Sequence, residues 1–186
     1  MGFSVRTMNK ESVFHVPRHI AITMDGNGRW GKLKGFTRSK GHYEGAKTME
    51  KVIDACIEFG VEIVTLYAFS SENWSRPKDE VNYLMNLPVR FFSQKLPIFM
   101  KKGIKVIVSG DLSQVPKKTQ EVLNKAVEKT KYNKSIIANF AFNYGGRAEI
   151  LRATEKIIED FQLNQISLED IDEELFTKYL YTGNLP

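Results

Sequence analysis

The clearest signal of the fold lies in residues 19–30, which read HIAITMDGNGRW. Residues 19–24 are mostly apolar and partly β-branched, a pattern typical of a short buried strand. The sequence DGNG at residues 25–28 is rich in turn formers and ends the apolar run. We therefore predict a buried strand that leads directly into a glycine loop.

The rest of the chain repeats this alternation of strand and helix. Residues 45–59 have apolar side chains at helical spacing, and Gly60 suits the helix end. Further strands are predicted at 61–69, 104–108 and 135–142, and further helices at 79–102, 116–131, 147–161 and 168–180. Pro88 and Pro97 are expected to kink or divide the first of these helices. The order predicts an α/β fold with a mostly parallel central sheet covered by helices.

Length and composition indicate one globular domain. With 186 residues, of which 42% are hydrophobic and 26% charged, the chain can bury a core without disulfides or metal ions. We predict a flexible N-terminal arm at residues 1–17 and a single domain at residues 18–186. Cys56 is the only cysteine, which excludes an intrachain disulfide, and no apolar run reaches the ~20 residues of a membrane-spanning helix.

Positive charge is concentrated in one segment. The formal net charge is +5, and the lysines and arginines at positions 29, 32, 34, 38, 40 and 47 are opposed only by Glu44. Such a cluster favours binding of phosphates, nucleic acid or anionic lipid, and it is equally consistent with a solvated surface.

The loop after the first strand has the composition of a diphosphate site. Asp25 supplies a carboxylate, and the glycines at 26 and 28 allow backbone N–H groups to approach an anion. Arg29 can bind a phosphate through two hydrogen bonds, and His42 can donate one more. The sequence contains neither a P-loop nor a complete dinucleotide-binding glycine motif. The alternatives are a glycine turn without a chemical role and a capping or surface histidine.

A second polar loop, SSENWSRP at residues 70–77, follows the predicted strand at 61–69. It concentrates hydroxyls, an amide, a carboxylate, an indole and a guanidinium, although any single member could serve only a polar turn. Because parallel strands end at one edge of a sheet, we expect the loops at 25–30, 70–76 and 143–147 to share one cleft.

Four segments together closely resemble the cis-prenyltransferase family. They read HIAIxMDGNGRW at 19–30, GHxxG at 41–45, LYAFSSENWxRP at 66–77 and NYGGR at 143–147. The resemblance is closest to the bacterial undecaprenyl diphosphate synthases and covers residues 17–186. The family pattern continues after the position of Pro186, so the domain is expected to be incomplete at its C-terminus, with an unpaired sheet edge.

The resemblance implies a transferase that condenses isopentenyl diphosphate with an allylic diphosphate, such as farnesyl diphosphate, in cis configuration. The product would be a long polyprenyl diphosphate carrier lipid for cell-wall synthesis. The resemblance implies that Asp25 and Asn73 are catalytic, with Asp25 binding Mg²⁺ and Asn73 assisting removal of a proton from isopentenyl diphosphate. Because a neutral amide is a very poor base, we expect Asn73 to orient that substrate. The implied substrate-binding residues are Gly26, Asn27, Gly28, Arg29, Trp30, Arg38, His42, Ser70, Ser71, Glu72, Trp74 and Arg76.

The resemblance also implies partners and a location. We expect a cytoplasmic protein at or near a membrane that receives the product, a homodimer in the full-length form, and no nucleic-acid partner. Candidate walls for the hydrocarbon chain, which ordinary core packing explains equally well, are Leu84, Met85, Leu87, Val89, Phe91 and Phe92.

Two other functions compete with this one. A non-catalytic partner subunit of a prenyltransferase would not need Asp25, Arg38 and Asn73 together, although an incomplete C-terminus favours it. A basic RNA-binding domain is the other, and the sequence lacks the aromatic signature typical of such domains.

Overall fold

The computed structural model describes residues 15–183 and residue 185. Its strands are β1 (His19–Thr23), β2 (Ile63–Ser70), β3 (Ile104–Ser109) and β4 (Ile136–Tyr144). Its α-helices are α1 (Asn27–Leu33), α2 (Arg38–Glu58), α3 (Lys78–Lys102), α4 (Lys117–Thr130), α5 (Gly146–Gln162) and α6 (Glu173–Tyr179). Short 3-10 helices lie at Ser71–Ser75 and Leu168–Asp170. The predicted arm at residues 1–17 lies mostly outside the described residues.

The strands form one parallel sheet in the order β1-β2-β4-β3. β4 pairs with β2 on one side and β3 on the other, and nearly all of its side chains are buried. This matches its apolar sequence, because inner strands of parallel sheets are covered on their faces by helices. The predicted α/β fold with a mostly parallel sheet is confirmed.

Helices α2, α3 and α4 pack side by side and contact the sheet. The interior between α3 and the sheet is aromatic, since Phe91 and Phe92 both lie edge-on to Phe140 of β4. Phe99 extends this cluster along α3 with ring centroids 5.9 Å from Phe91 and 6.2 Å from Phe92. None of the described helices is long and apolar enough to span a membrane.

A chain of polar contacts crosses the sheet through its buried interior. His19 Nε2 on β1 lies 2.8 Å from Thr65 Oγ1 on β2, and Asn139 Nδ2 on β4 donates to the same hydroxyl at 3.1 Å. Ser109 Oγ on β3 donates to Asn139 Oδ1 at 2.9 Å. Thus one side chain from each strand takes part in a lateral network, which we call the polar belt.

The prediction of a helix that begins at residue 45 is wrong at its start. Helix α1 begins directly at Asn27, and α2 begins at Arg38, where the Thr37 hydroxyl accepts the N–H of Lys40 at 3.1 Å. A Cβ atom at Gly41 would lie 2.1 Å from the carbonyl oxygen of Asn27. The glycines near the start of α2 therefore permit close contact between α1 and α2. The sequence pattern indicates instead that these glycines interrupt the helix.

One further helix prediction needs correction, and one alternative is decided. Helix α3 runs from Lys78 to Lys102 with Pro88 and Pro97 inside it, so the two prolines do not divide the helix. The predicted helix at 168–180 is two elements, a 3-10 helix and α6, because the Asp172 carboxylate accepts the N–H of Leu175 and starts a new helix.

Candidate active site

A cavity of about 660 Å³ lies at the C-terminal ends of β1 and β2. Most of the predicted site residues line it. They come from the turn after β1 and the start of α1, from the segment after β2, and from the first turns of α2. These residues are Asp25, Gly26, Asn27, Gly28, Arg29, Arg38, His42, Ser70, Glu72, Asn73 and Arg76. The parallel strands thus bring the first two loops together, as the sequence predicted.

Asp25 follows the end of β1 at the exposed rim of this cavity. Its Oδ1 accepts the N–H of Gly26 at 2.6 Å, and its Oδ2 lies 3.3 Å from Nη2 of Arg29. The Gly26 hydrogen bond, followed by the charge of Arg29, lowers the pKa of Asp25. Gly26 has φ of 83°, a left-handed conformation that favours glycine and turns the chain into α1. The carboxylate is therefore ionised and accessible at neutral pH.

Asp25 suits a Mg²⁺ ion that is bound jointly by the protein and by a substrate phosphate. The described residues contain no cluster of three or more His, Cys, Asp or Glu that could hold a metal by itself. Mg²⁺ commonly binds to proteins through one or two carboxylates, with waters and substrate phosphates completing its octahedral shell. One exposed carboxylate beside cationic side chains suits a metal that arrives with a diphosphate.

Glu80, on the first turn of α3, organises the cationic wall of the cavity, and the sequence interpretation missed it. Its Oε2 accepts a hydrogen bond from Arg38 Nε at 2.8 Å. Its Oε1 accepts one from Arg76 Nη1 at 2.9 Å and lies 3.0 Å from His42 Nε2. The only local signal is the spacing of four residues between Arg76 and Glu80, because Arg38 and His42 are remote in sequence.

The Glu80 carboxyl is buried yet strongly acidic. Burial raises its pKa, but hydrogen bonds from Arg38, His42 and Arg76 outweigh that effect and bring the pKa down to about 2. A buried anion with three donors holds those side chains in fixed positions. The result is a preorganised set of donors, of which Arg38 also lies against the backbone of α1, where a Cβ at Gly28 would meet its Cζ at 3.2 Å.

Asn73 lies in the 3-10 helix that follows β2. Its Oδ1 accepts the N–H of Ser70 at 3.2 Å, which closes the turn and fixes the amide. Within the described part of the chain, its Nδ2 group has no hydrogen-bond acceptor, so it remains available to a ligand in the cavity. An amide is a donor or acceptor here and has no useful basicity.

Three predicted site residues lie outside the cavity wall. Trp74 packs edge-on against Phe69 with ring centroids 5.4 Å apart, and its Nε1 donates to Asn143 Oδ1 at 2.8 Å. Ser71 lies against Gly145, where a Cβ atom would approach its hydroxyl to 2.3 Å. Trp30, on α1, is exposed and does not line the cavity. The loop at 143–147 therefore supports the second loop from behind and does not line the cavity, contrary to the expectation of one cleft shared by three loops.

A second, apolar cavity adjoins the first. The two share wall residues, among them Met24, Asn27 and Leu84. Leu84, Leu87, Phe91 and Phe92 line it, whereas the other two residues predicted as hydrocarbon walls, Met85 and Val89, do not. The molecule thus places a polar, cation-rich cavity directly beside an apolar one.

Comparison with known proteins agrees with this geometry. Residues 23–186 match the model of the prenyltransferase family described as "Putative undecaprenyl diphosphate synthase". The chain is 48% identical to ditrans,polycis-undecaprenyl-diphosphate synthase ((2E,6E)-farnesyl-diphosphate specific) of Micrococcus luteus, over 96% of this chain and 72% of that protein. It is 46% identical to the isoprenyl transferase of Streptococcus thermophilus, with the same coverage of both chains.

A solved structure shows the same fold. Lavandulyl diphosphate synthase from Lavandula x intermedia, in complex with dimethylallyl diphosphate, superposes with a TM-score of 0.87 at 30% identity and covers 91% of this chain and 72% of that one. The sequence resemblance to the cis-prenyltransferases is thereby confirmed, and the chain belongs to the undecaprenyl diphosphate synthase family of prenyltransferases.

Proposed function

We propose that the protein condenses isopentenyl diphosphate with an allylic diphosphate, such as farnesyl diphosphate, to make a long cis-polyprenyl diphosphate carrier lipid for cell-wall synthesis. The observation that carries this proposal is the junction of the two cavities. A substrate with a diphosphate head and a hydrocarbon tail needs a cationic cavity and an apolar one with a common wall. The name of the Micrococcus luteus relative, which is specific for farnesyl diphosphate, supports the choice of primer.

The cationic cavity would bind the diphosphate of the allylic substrate. Arg29 and Arg38 can each donate paired hydrogen bonds to phosphate oxygens. Glu80 holds the His42 ring at the wall of the same cavity. In the reaction, the allylic C–O bond breaks and the diphosphate leaves with the electron pair. Donors held in place before the reaction stabilise this developing charge without further reorganisation.

Asp25 is the residue that would hold the Mg²⁺ of the bound diphosphate. When bound, the metal neutralises negative charge on the leaving group and so lowers the barrier to C–O cleavage. The low pKa of Asp25 keeps its carboxylate ionised for this purpose.

Asn73 would orient isopentenyl diphosphate. The double bond of isopentenyl diphosphate attacks the allylic carbon to form the new C–C bond, and a proton then leaves the carbon next to the resulting cation. Because an amide is a very poor base, we assign proton acceptance to a phosphate oxygen and the positioning of the substrate to Asn73. Ser70, Glu72 and Arg76 complete this side of the cavity.

We also propose that the active form is a homodimer inside the cell and that the product passes to a membrane. An exposed apolar face on α5 supports the dimer, since Leu151, Ile158 and Phe161 are all solvent-accessible there. Such a face is favoured at subunit interfaces.

Turnover of radiolabelled isopentenyl diphosphate with farnesyl diphosphate and Mg²⁺ tests the function. We expect a series of elongated polyprenyl diphosphates, and we expect Asp25→Ala to lower turnover by about a hundredfold or more, because Mg²⁺ assistance is worth several kcal/mol. Asp79→Ala removes an exposed carboxylate on α3 outside the cavity and is the matched control. The proposal is wrong if the wild-type protein yields no elongated product, and the role of Asp25 is wrong if its variant loses less than about tenfold.

A further inference from the structure

We propose that the turn after α1 is a docking patch for a membrane surface that carries anionic lipid. The patch consists of the apolar residues Trp30, Leu33 and Phe36 and of the lysines Lys32 and Lys34. This inference rests on the proposed function in one respect, because a protein whose product is a long polyprenyl lipid must release it into a bilayer.

The apolar part of the patch is exposed and concentrated. Leu33 is 87% exposed, Phe36 49% and Trp30 42%, and the three lie within seven positions of the sequence. Exposed apolar side chains are normal when they are scattered singly, whereas a group of this kind marks a contact surface. The Trp30 and Phe36 rings lie 6.3 Å apart and form one apolar unit.

The backbone holds this group in place. The N–H of Phe36 donates to the carbonyl of Gly31 at 2.8 Å, and the N–H of Gly35 donates to that of Lys32 at 3.0 Å. Gly35 has φ of 75°, which reverses the chain at the end of α1 and returns Phe36 to the side of Trp30. Leu33 and Phe36 are therefore displayed by an ordered turn.

The positive charge of the patch favours an anionic partner. Lys32 and Lys34 are exposed, and among the described residues neither forms an ion pair. No acidic residue occurs between Arg29 and Tyr43. Aromatic and leucine side chains bordered by lysines suit the headgroup region of a bilayer, where the rings enter the interface and the ammonium groups meet lipid phosphates. The electrostatic complement of this surface is an anionic membrane.

The position of the patch connects it to the candidate active site. Gly28 and Arg29 of the cationic cavity and Leu33 of the patch lie on the same short helix, so roughly 8 Å of helix axis separates Gly28 from Leu33 at 1.5 Å per residue. A membrane bound at the patch would therefore lie near the cavity that holds the diphosphate end of the lipid.

Binding to vesicles tests the patch directly. The wild-type protein would be sedimented, without substrate, with vesicles of phosphatidylglycerol and phosphatidylcholine in equal parts and with vesicles of phosphatidylcholine alone. We expect binding to the anionic vesicles that weakens as salt screens the lysines.

Leu33→Ser/Phe36→Ser and Lys32→Gln/Lys34→Gln should each lower that binding by about tenfold or more. Phe59→Ser/Tyr132→Ser, which replaces two exposed rings elsewhere, is the matched control and should bind as the wild type does.

A spectroscopic measurement locates the contact. The chain has two tryptophans, and Trp74 is packed against Phe69, so quenching by brominated phosphatidylglycerol should come from Trp30. We expect the quenching to disappear in Leu33→Ser/Phe36→Ser. The proposal is overturned if the patch variants bind vesicles as well as the wild type, if the control variant loses as much binding, or if the patch variants instead change the oligomeric mass of the protein in ultracentrifugation.

The vesicle experiments and the turnover assay test the membrane patch and the proposed function separately. Turnover of soluble farnesyl diphosphate without vesicles should be unchanged in both patch variants, because none of the four substituted residues lines the cavity. Vesicle binding without turnover would refute the proposed function alone. Turnover without vesicle binding would refute the membrane patch alone.

Discussion

At the scale of single residues, Glu80 shows why the site is more than its sequence motifs. The motifs supply Arg38, His42 and Arg76, but the like charges of the two arginines repel one another. One buried carboxylate holds all three side chains near the cavity. Because two of its partners are about 40 positions away along the chain, no local pattern could reveal this role.

Glu80→Gln should lower stability at neutral pH and remove one source of acid sensitivity. The pKa of Glu80 is about 2 in the folded protein, below its usual value of 4.5. The ionised form therefore stabilises the fold by roughly 3 kcal/mol above pH 4.5, and this contribution is lost as the pH falls from 4.5 towards 2. Urea unfolding across this range should show the gap between wild type and variant closing as the pH falls. Glu58→Gln, at an exposed position, is the control, and a gap that stays constant would contradict the assignment.

Asn73→Asp should lower turnover. The substitution keeps the shape of the side chain but adds a negative charge beside the two diphosphates of the proposed reaction, which opposes their binding. The pH profile of turnover, measured with Asn86→Asp on the exposed side of α3 as control, checks this expectation. A faster enzyme with a new acidic limb in its profile would show instead that proton removal at this position limits the wild-type rate.

At the scale of elements, the strands follow from the sequence and the helix starts do not. Each of the four strand predictions overlaps an observed strand. Short runs of apolar, β-branched residues bounded by turn formers are typical of strands and rarely form other elements. The sequence pattern predicts a helix start at residue 45, seven residues after the observed start of α2 at Arg38, because glycines commonly indicate breaks. The contact of Gly41 with Asn27 is tertiary, and local sequence patterns carry no information on it.

Gly41→Ala should destabilise the fold and lower turnover together. The added Cβ would lie 2.1 Å from the Asn27 carbonyl oxygen, so α1 must move away from α2 and carry the first loop with it. Overpacking of this kind costs about 1–3 kcal/mol. Gly146→Ala is the control, because its Cβ would meet nothing closer than 4.0 Å. Thermal unfolding and turnover of both variants give the comparison, and equal stability of the two would contradict the role of Gly41.

At the scale of the whole molecule, the polar belt joins every strand of the sheet. Side chains of all four strands form one lateral network, in addition to the hydrogen bonds between their backbones. The sequence places these polar residues inside otherwise apolar strands, but only the register of the sheet brings Thr65 and Asn139 side by side. Their partnership therefore depends on the assembled topology.

Asn139→Leu should be costly although it buries more apolar surface. Asn139 is fully buried, and its loss would leave the Ser109 hydroxyl without its partner in the belt and the Thr65 hydroxyl with His19 alone. Unsatisfied buried groups cost about 1–3 kcal/mol each. Asn82→Leu, at an exposed position on α3, is the matched control in urea unfolding. A variant as stable as the wild type would show that the belt contributes little.

The two prolines inside α3 have a consequence for a growing hydrocarbon chain. Proline has no N–H group, so the carbonyls of Leu84 and Ser93, four residues earlier, each lack their helical donor. The apolar cavity holds only about 60 Å³ of free space, and Leu84, Leu87 and Pro88 form part of its wall. If the proposed polyprenyl product grows into this cavity, the wall has to move to make room for it. The carbonyl of Leu84, which lacks its helical donor, belongs to a residue of that wall.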